Sequence, residues 1–186
     1  MEIRPATTRD LPGVIEIDAT VESHRYLHVD RSGEGLSALW KVEERPFRTR
    51  LIEAVPMDEE RQFLFRQIVG GIEDGLALVA THDDETVGLL LAQPRLTEGV
   101  LQVLDLRVDF DHRREGLATA MMFQAIQTAR DAGHRAVMAE TAANNHPAAQ
   151  LLDKLGFQLA GLDTQRYSNH DLVKEAVTLV WYAPLD

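Results

Sequence analysis

A chain of 186 residues with a formal net charge of −11 and no cysteine excludes disulfides, a cysteine nucleophile and thiolate metal sites. Its length suits a single domain over residues 1–186, burying roughly 70% of its unfolded surface without a covalent or metal staple. The acidity argues against nucleic acid as a partner, since that binding needs Lys and Arg on phosphates, and it favours steering of a cationic small molecule. From the N-terminus, "EIRPA" reads as a short strand and a turn. "TTRDLPGVIEIDATVE" carries apolar residues at Leu11, Val14, Ile15 and Ile17, the helical spacing, with Thr7 or Thr8 as N-cap and Asp10 in the first turn. Residues 23–74 read as an inserted helical and loop region: a polar loop with scattered aromatics, a helix near 47–54, a break at Pro56, and a helix over 58–70 burying Phe63, Leu64, Ile68 and Val69. Long insertions of this kind often carry specificity.

From Gly75 onward the pattern sharpens. "GLALVAT" and "TVGLLLA" are apolar strands joined by "HDDE", a hairpin turn. "VLQVLDLRV" is a third strand, residues 114–131 a helix, and "HRAVMAE" a fourth strand. "HPAAQLLDKL" is a short helix with Pro147 in its first turn. "FQLAGL" and "EAVTLVWYA" close the chain, the closing strand offering a pairing edge for a homodimer. Strands alternating with helices imply an α/β layered sheet. "MEIRPATTRD" has no apolar h-region, and no window approaches the roughly 18 apolar residues of a spanning helix. The expectation is a protein with no membrane partner, acting in the cytoplasm.

The chemistry concentrates at "DFDHRREGLATAMM", residues 109–122, where a strand gives way to a helix. The first amides of a helix have no internal partner and sit at the positive end of its dipole, so an anion can satisfy several at once. Gly116 and Ala118 keep that approach free of bulk, and Arg113 and Arg114 add positive charge. Glu115 suits a helix start but repels a phosphate if it turns inward. The alternative is a helix start whose glycine merely packs on a strand. The stretch lacks the Gly-Lys-Ser/Thr of a P-loop and the G-x-G-x-x-G of a dinucleotide site.

"RREGLA" resembles the acetyl-CoA loop of the GCN5-related N-acetyltransferases, Arg/Gln-x-x-Gly-x-Gly/Ala. "IRPATTRDLPGVIEI" is similar to that family's opening strand and helix, "DETVGLLLA" to its central hairpin strand, and "NHPAAQLLDKLGF" to its second cofactor motif. "ETAANNHPAAQLLDKLGFQLAGLDTQRY" resembles the streptothricin acetyltransferases in the spacing of Glu-Thr, Asn-Asn-x-Pro-Ala, Gly-Phe, Asp and Tyr. The resemblance implies an α/β fold whose mixed, largely antiparallel central sheet, flanked by helices, splays between its fourth and fifth strands, with residues 100–108 and 135–141 as walls. It implies acetyl-CoA as acetyl donor, no metal, and a small, cationic amine as acceptor; the alternatives are a protein amine as acceptor, or a non-catalytic module that binds acetyl-CoA as a regulatory ligand. Arg113, Arg114, Gly116, Leu117 and Ala118 would hold the pyrophosphate, Asn145 the pantetheine amides, and the Val108 backbone N–H the thioester carbonyl.

Direct attack by an amine needs a base within reach. Glu140 and Asp105 are the candidates, Asp105 otherwise facing solvent or pairing with Arg107. The family often has a tyrosine four residues before Gly-Phe as proton donor. Here that position is Leu152, so Tyr167 or Tyr182 substitutes, catalysis proceeds without the acid, or activity is lost. Gly156 closes the preceding helix in the left-handed conformation, which sets Phe157 against Leu152. Asp163 and Tyr167 serve a cationic amine or tether a loop. His24 and His28 stand four apart, a zinc spacing on a helix, but no third ligand is apparent. His112, His134 and His170 read as surface turn residues. Of Trp181 and Tyr182, alternation sends one to the core.

Overall fold

The structure, a computed structural model, describes residues 1–185. Its elements are β1 (Glu2–Pro5), α1 (Leu11–Glu16), β2 (Val21–Glu34), β3 (Ser37–Glu53), α2 (Glu59–Val69), β4 (Leu76–His82), β5 (Glu85–Arg95), β6 (Val100–Val108), α3 (Leu117–Asp131), β7 (Ala136–Ala142), α4 (His146–Lys154), β8 (Gln158–Asp163) and β9 (Thr178–Pro184). Two compact units are distinguished. One holds residues 1–20, 54–139 and the chain from 183 onward; the other holds residues 21–53 and 140–182. Among the described residues no helix is long and apolar enough to cross a membrane.

In the first unit β1, β4, β5 and β6 pair antiparallel in that order, and β6 pairs parallel with β7. Strands β4 and β5 are buried on both faces, which accounts for their unbroken apolar runs. One face sends Val79, Leu89 and Leu91 against Val14, Ile17, Phe65 and Ile68. Each such fully buried side chain contributes about 1.5–3 kcal/mol. On the other face α3 packs by Met121, whose Cε lies 3.1 Å from where a Cβ on Gly88 would stand. The β4–β5 turn is Asp83–Asp84, both at positive φ (49° and 67°), the handedness that matches strand twist in a two-residue hairpin. Asp10 closes the start of the chain. Its carboxylate takes two bonds from Arg4 at 2.7 and 2.9 Å and one from the Thr7 N–H at 2.7 Å, and this holds it down to about 2, chiefly through Arg4.

In the second unit β8 pairs antiparallel with β9, β7 neighbours β9, and β2 pairs with β3 over almost its whole length. Trp181 is buried on β9 and donates to the Thr141 hydroxyl at 2.9 Å. The Leu27 N–H donates to the Ala143 carbonyl at 2.8 Å, tying the ribbon to the segment before α4.

Several expectations are corrected. Residues 23–53 are no loop, and no helix occupies 47–54: residues 21–34 and 37–53 form the β2–β3 ribbon, and 54–56 lack regular structure. A ribbon with much of both faces in solvent shows little period-two contrast, so its polarity resembles that of a loop. Gly33, near the end of β2 and paired with Ala38, is at φ +87°, where a Cβ would collide with the Ser37 carbonyl, and Gly35 at φ +57° lies in the turn that follows. The expected helix over 58–70 is present as α2, but Phe63 is exposed and Phe65 is buried in its place. Two positions on a helix are about 200° apart, so only one of that pair can face the sheet. Ile15 is likewise outward on α1. Helix α3 begins at Leu117 rather than 114, because Gly116 at φ +84° cannot belong to a right-handed helix. The closing strand β9 has neighbours on both sides, so the edge strand beside it is β8.

Candidate functional site

Strand β6 is paired with β7 only from Val100↔Ala136 to Val103↔Ala139. At that point the β5–β6 register slips: Leu91 opposes Asp105 while Ala92 opposes Val103, so Leu104 is an extra residue. A bulge of this kind re-aims a strand and ends pairing. Beyond it, residues 104–108 are held along their β5 edge. The Asp109 N–H donates to the Val87 carbonyl at 2.9 Å. Outward- and inward-pointing amides alternate along an antiparallel strand, so the Val108 amide points away from β5, toward the edge that β7 has left.

Arg113 then turns the chain into α3. Its Nε donates to the Val108 carbonyl at 3.0 Å, and its two Nη atoms donate to the Thr20 and Asp18 carbonyls at 2.6 and 3.3 Å. Its guanidinium stands 5.0 Å from the Phe110 ring centroid. Below it, Asp109 accepts from the Asp18 and Asp111 amides at 3.0 and 3.2 Å. Arg113 is therefore a strut that binds three carbonyls of the loop and of the segment after α1. Its sequence neighbour Arg114 is exposed and lies at φ +64°, a conformation uncommon for a side-chain-bearing residue. Two left-handed residues, Arg114 and Gly116, thus flank Glu115 ahead of the helix.

At the start of α3 no side chain caps the first turn. The Ala120 N–H donates to the Gly116 carbonyl at 2.9 Å, and the amides of Leu117, Ala118 and Thr119 precede the first helical bond. A Cβ placed on Gly116 would meet no atom within 4 Å. The glycine therefore faces open space, bordered by donor amides, at the positive end of a 15-residue helix. That arrangement fits a diphosphate. Leu117 is buried and anchors the turn.

Asp105 and Arg107 form a buried bidentate pair, Nε to Oδ1 at 2.8 Å and Nη2 to Oδ2 at 2.6 Å. Both Asp105 oxygens are therefore engaged, the pairing alternative read from the sequence. His112, expected as a surface residue, is partly buried with its ring 5.3 Å from that of His82. Neither Nδ1 has a hydrogen-bond partner.

The second unit holds Glu140, Asn145 and Tyr167. Glu140, half-buried on β7, receives Arg166 Nη2 at 3.1 and 3.2 Å. Asn145 is the N-cap of α4, its side chain accepting from the Ala148 N–H at 3.2 Å. Tyr167 is exposed on the loop between β8 and β9, its amide donating to Asp171 at 2.9 Å. The Ser168 hydroxyl, then that amide, hold the Asp171 carboxyl below its ordinary range.

Helix α4 ends as expected. Gly156 is at φ +83°, the Phe157 N–H donates to the Leu152 carbonyl at 3.0 Å, and the Gly156 N–H to the Asp153 carbonyl at 3.0 Å, the paired closing bonds of a left-handed cap. Leu152 and Phe157 are both buried. His24 and His28 lie on a strand, not a helix. His28 bonds Glu175 at 2.8 Å, and His146 bonds Glu44 at 2.7 Å. These pairs link residues 147 and 102 positions apart, so no local spacing announces them.

The profile of the acetyltransferase (GNAT) family matches residues 36–157. N-acetyltransferase 8 of Homo sapiens is 36% identical over 87 residues, 45% of this chain and 38% of that protein. Streptothricin acetyltransferase A of Bacillus subtilis (strain 168) is 31% identical over 84 residues, 45% of this chain and 48% of that protein. The chain thus spans under half the length of these curated relatives. Among solved structures, a Bacillus anthracis str. Ames protein assigned to the streptothricin acetyltransferases, in complex with acetyl coenzyme A, superposes with a TM-score of 0.77. It is 21% identical, covering 100% of this chain and 97% of that one. The mixed sheet with flanking helices is shared.

Proposed function

Because the chain belongs to the acetyltransferase (GNAT) family, we propose that it moves the acetyl group of acetyl-CoA to an amine of a small cationic molecule by direct attack in a ternary complex. The observation that carries this reading is the open space at Gly116, faced by the first amides of α3 at the end of a strand whose pairing has stopped. The amides of Leu117 and Ala118 would hold the pyrophosphate, with Arg114 supplying charge from its exposed position and Arg113 fixing the loop through three carbonyls. Asn145 would donate from its side-chain amide while its oxygen caps α4.

Bound acetyl-CoA supplies an activated acyl carbon in a thioester. The Val108 N–H, directed away from β5, would polarise the acyl oxygen. An ammonium must lose a proton before it attacks. Asp105 is a poor acceptor because both its oxygens are already occupied by Arg107. Glu140 is the better candidate, since its Arg166 contacts come from one nitrogen at longer range. Buried Leu152 offers no proton, so the departing thiolate takes one from Tyr167 or from water. A streptothricin-type acceptor is supported by the Bacillus subtilis relative and by the acidity of the chain. On this reading the protein would act in the cytoplasm, in keeping with the expectation from its sequence.

Calorimetric titration with coenzyme A, followed by thiol release from acetyl-CoA with a panel of amines that includes streptothricin, tests it. Binding with turnover of a cationic amine is expected. Glu140→Gln should lower kcat while coenzyme A affinity is kept, and Tyr167→Phe should separate Tyr167 from water as proton source. Tight binding with no turnover of any amine would favour a second reading, prompted by Leu152: a module that binds acetyl-CoA as a regulatory ligand. Absence of binding would refute both.

A further inference from the structure

Past Val29 and Val42 the β2–β3 ribbon stands uncovered: residues 30–41 are exposed on both strands, and a two-stranded ribbon is marginal in water by itself. The register places alternate pairs on one face. Leu27↔Glu44, Val29↔Val42, Arg31↔Trp40 and Gly33↔Ala38 share such a face. Near its base, Val29 is buried, and Leu27, Val42, Phe157 and Trp181 line a cavity of about 520 Å³ with Glu44 and Asp153. Farther out, the Arg31 guanidinium stands 5.6 Å from the Trp40 ring centroid. One continuous face thus carries an apolar groove with two carboxylates and, next to it, an aromatic ring with a cation.

We infer that this face joins two copies of the chain, the Arg31–Trp40 pair of each copy occupying the other's groove against Asp153 and Glu44. The charges are complementary. Glu44 is already touched by His146 at 2.7 Å and Arg25 at 3.4 Å, which hold its carboxyl below the ordinary range, the His146 hydrogen bond foremost. Asp153 is exposed and has no ion pair among the described residues, so it has capacity for Arg31. The geometry is self-complementary. Both halves lie along one ribbon face, so a twofold axis between them brings each half to the other's counterpart, as a closed dimer requires. Net charge of −11 opposes self-association in general, so a contact needs local opposite charges such as Arg31 against Asp153, and Trp and Arg are the residue types that dominate interface energies. The inference rests on the ribbon and groove alone and stands whether or not the acetyl-transfer reading holds.

Sedimentation equilibrium on the full chain at micromolar concentration tests it. A species at twice the 20.8 kDa chain mass is expected. Arg31→Glu and Asp153→Arg, both at exposed positions, should each weaken association at least tenfold, about 1.4 kcal/mol. In each case far-UV circular dichroism should be unchanged. Combining the two substitutions in one chain exchanges the charges and should restore the dimer. A monomeric wild type, a dimer that neither substitution weakens, or a double variant that stays monomeric would each overturn the inference. The second of these outcomes would place the contact elsewhere, such as the edge strand β8.

Discussion

Gly116→Ala isolates the physical argument at the cradle. At φ +84° a residue with a Cβ pays the left-handed penalty, about 1–2 kcal/mol. No steric cost adds to it, because nothing lies within 4 Å of the new methyl. For a chain of this size each kcal/mol lowers Tm by about 2–4 °C, so the free protein should melt roughly 2–8 °C lower and remain folded. Binding should suffer separately. If the open space belongs to a diphosphate, the methyl occupies it, and calorimetry should show coenzyme A affinity falling at least tenfold, about 1.4 kcal/mol, measured well below the new Tm. Arg114→Gly is the control for the conformational part. It relieves the strain at φ +64°, about 1–2 kcal/mol, but raises the entropy of the unfolded chain by about 0.4–1 kcal/mol, leaving stability unchanged to about 1.6 kcal/mol higher. A Gly116→Ala variant that binds coenzyme A as tightly as wild type would show that the space is not the ligand's, and the reasoning from the glycine would fail.

Asp10→Asn removes a carboxylate held at about 2 against an ordinary 3.8. The depressed folded value means stability present above the unfolded pKa and lost as pH falls, so the deficit of the variant in urea melts should be about 2 kcal/mol at pH 7 and shrink mainly between pH 4 and pH 2. Arg107→Ala leaves the buried Asp105 carboxylate unpaired and should cost about 3–5 kcal/mol, whereas replacing both partners by apolar residues of similar volume should cost far less, a contrast read from denaturant midpoints. Trp181→Phe deletes the buried indole bond to Thr141 and should cost about 1–3 kcal/mol. A loss under 0.5 kcal/mol would mean that water replaces the indole there.

What the sequence revealed depended on how much of each element is local. β4, β5 and β6 are legible because helices cover both sides of the sheet and their apolar runs are continuous. The left-handed close of α4 is legible because Gly156 and Phe157 stand at fixed offsets from Leu152. The ribbon was illegible for the opposite reason. Its two long strands are held mainly by each other, and exposed faces carry no hydrophobic period to read. The same distinction runs through the candidate site. Gly116 and the amides after it follow from a six-residue motif, but the role of Arg113 does not. A basic residue ahead of a helix start invites assignment to a phosphate, and only the positions of Asp18, Thr20 and Val108 show it bonded to three carbonyls instead.

That difference decides how charge is supplied at the cradle. With Arg113 committed to the loop, the attraction left for an anion comes from the α3 amides, the helix dipole and Arg114. Glu115 stands exposed between the two left-handed residues. The net side-chain charge offered by Arg114 and Glu115 is then zero, and backbone donors must supply most of the binding. Backbone donors do not depend on side-chain rotamers, which is why the two left-handed residues matter: they set the direction in which the chain enters α3. Affinity for a diphosphate should accordingly respond more to the conformation of residues 114–116 than to the removal of the Arg114 guanidinium. The strut through Arg113 is the device that holds that conformation.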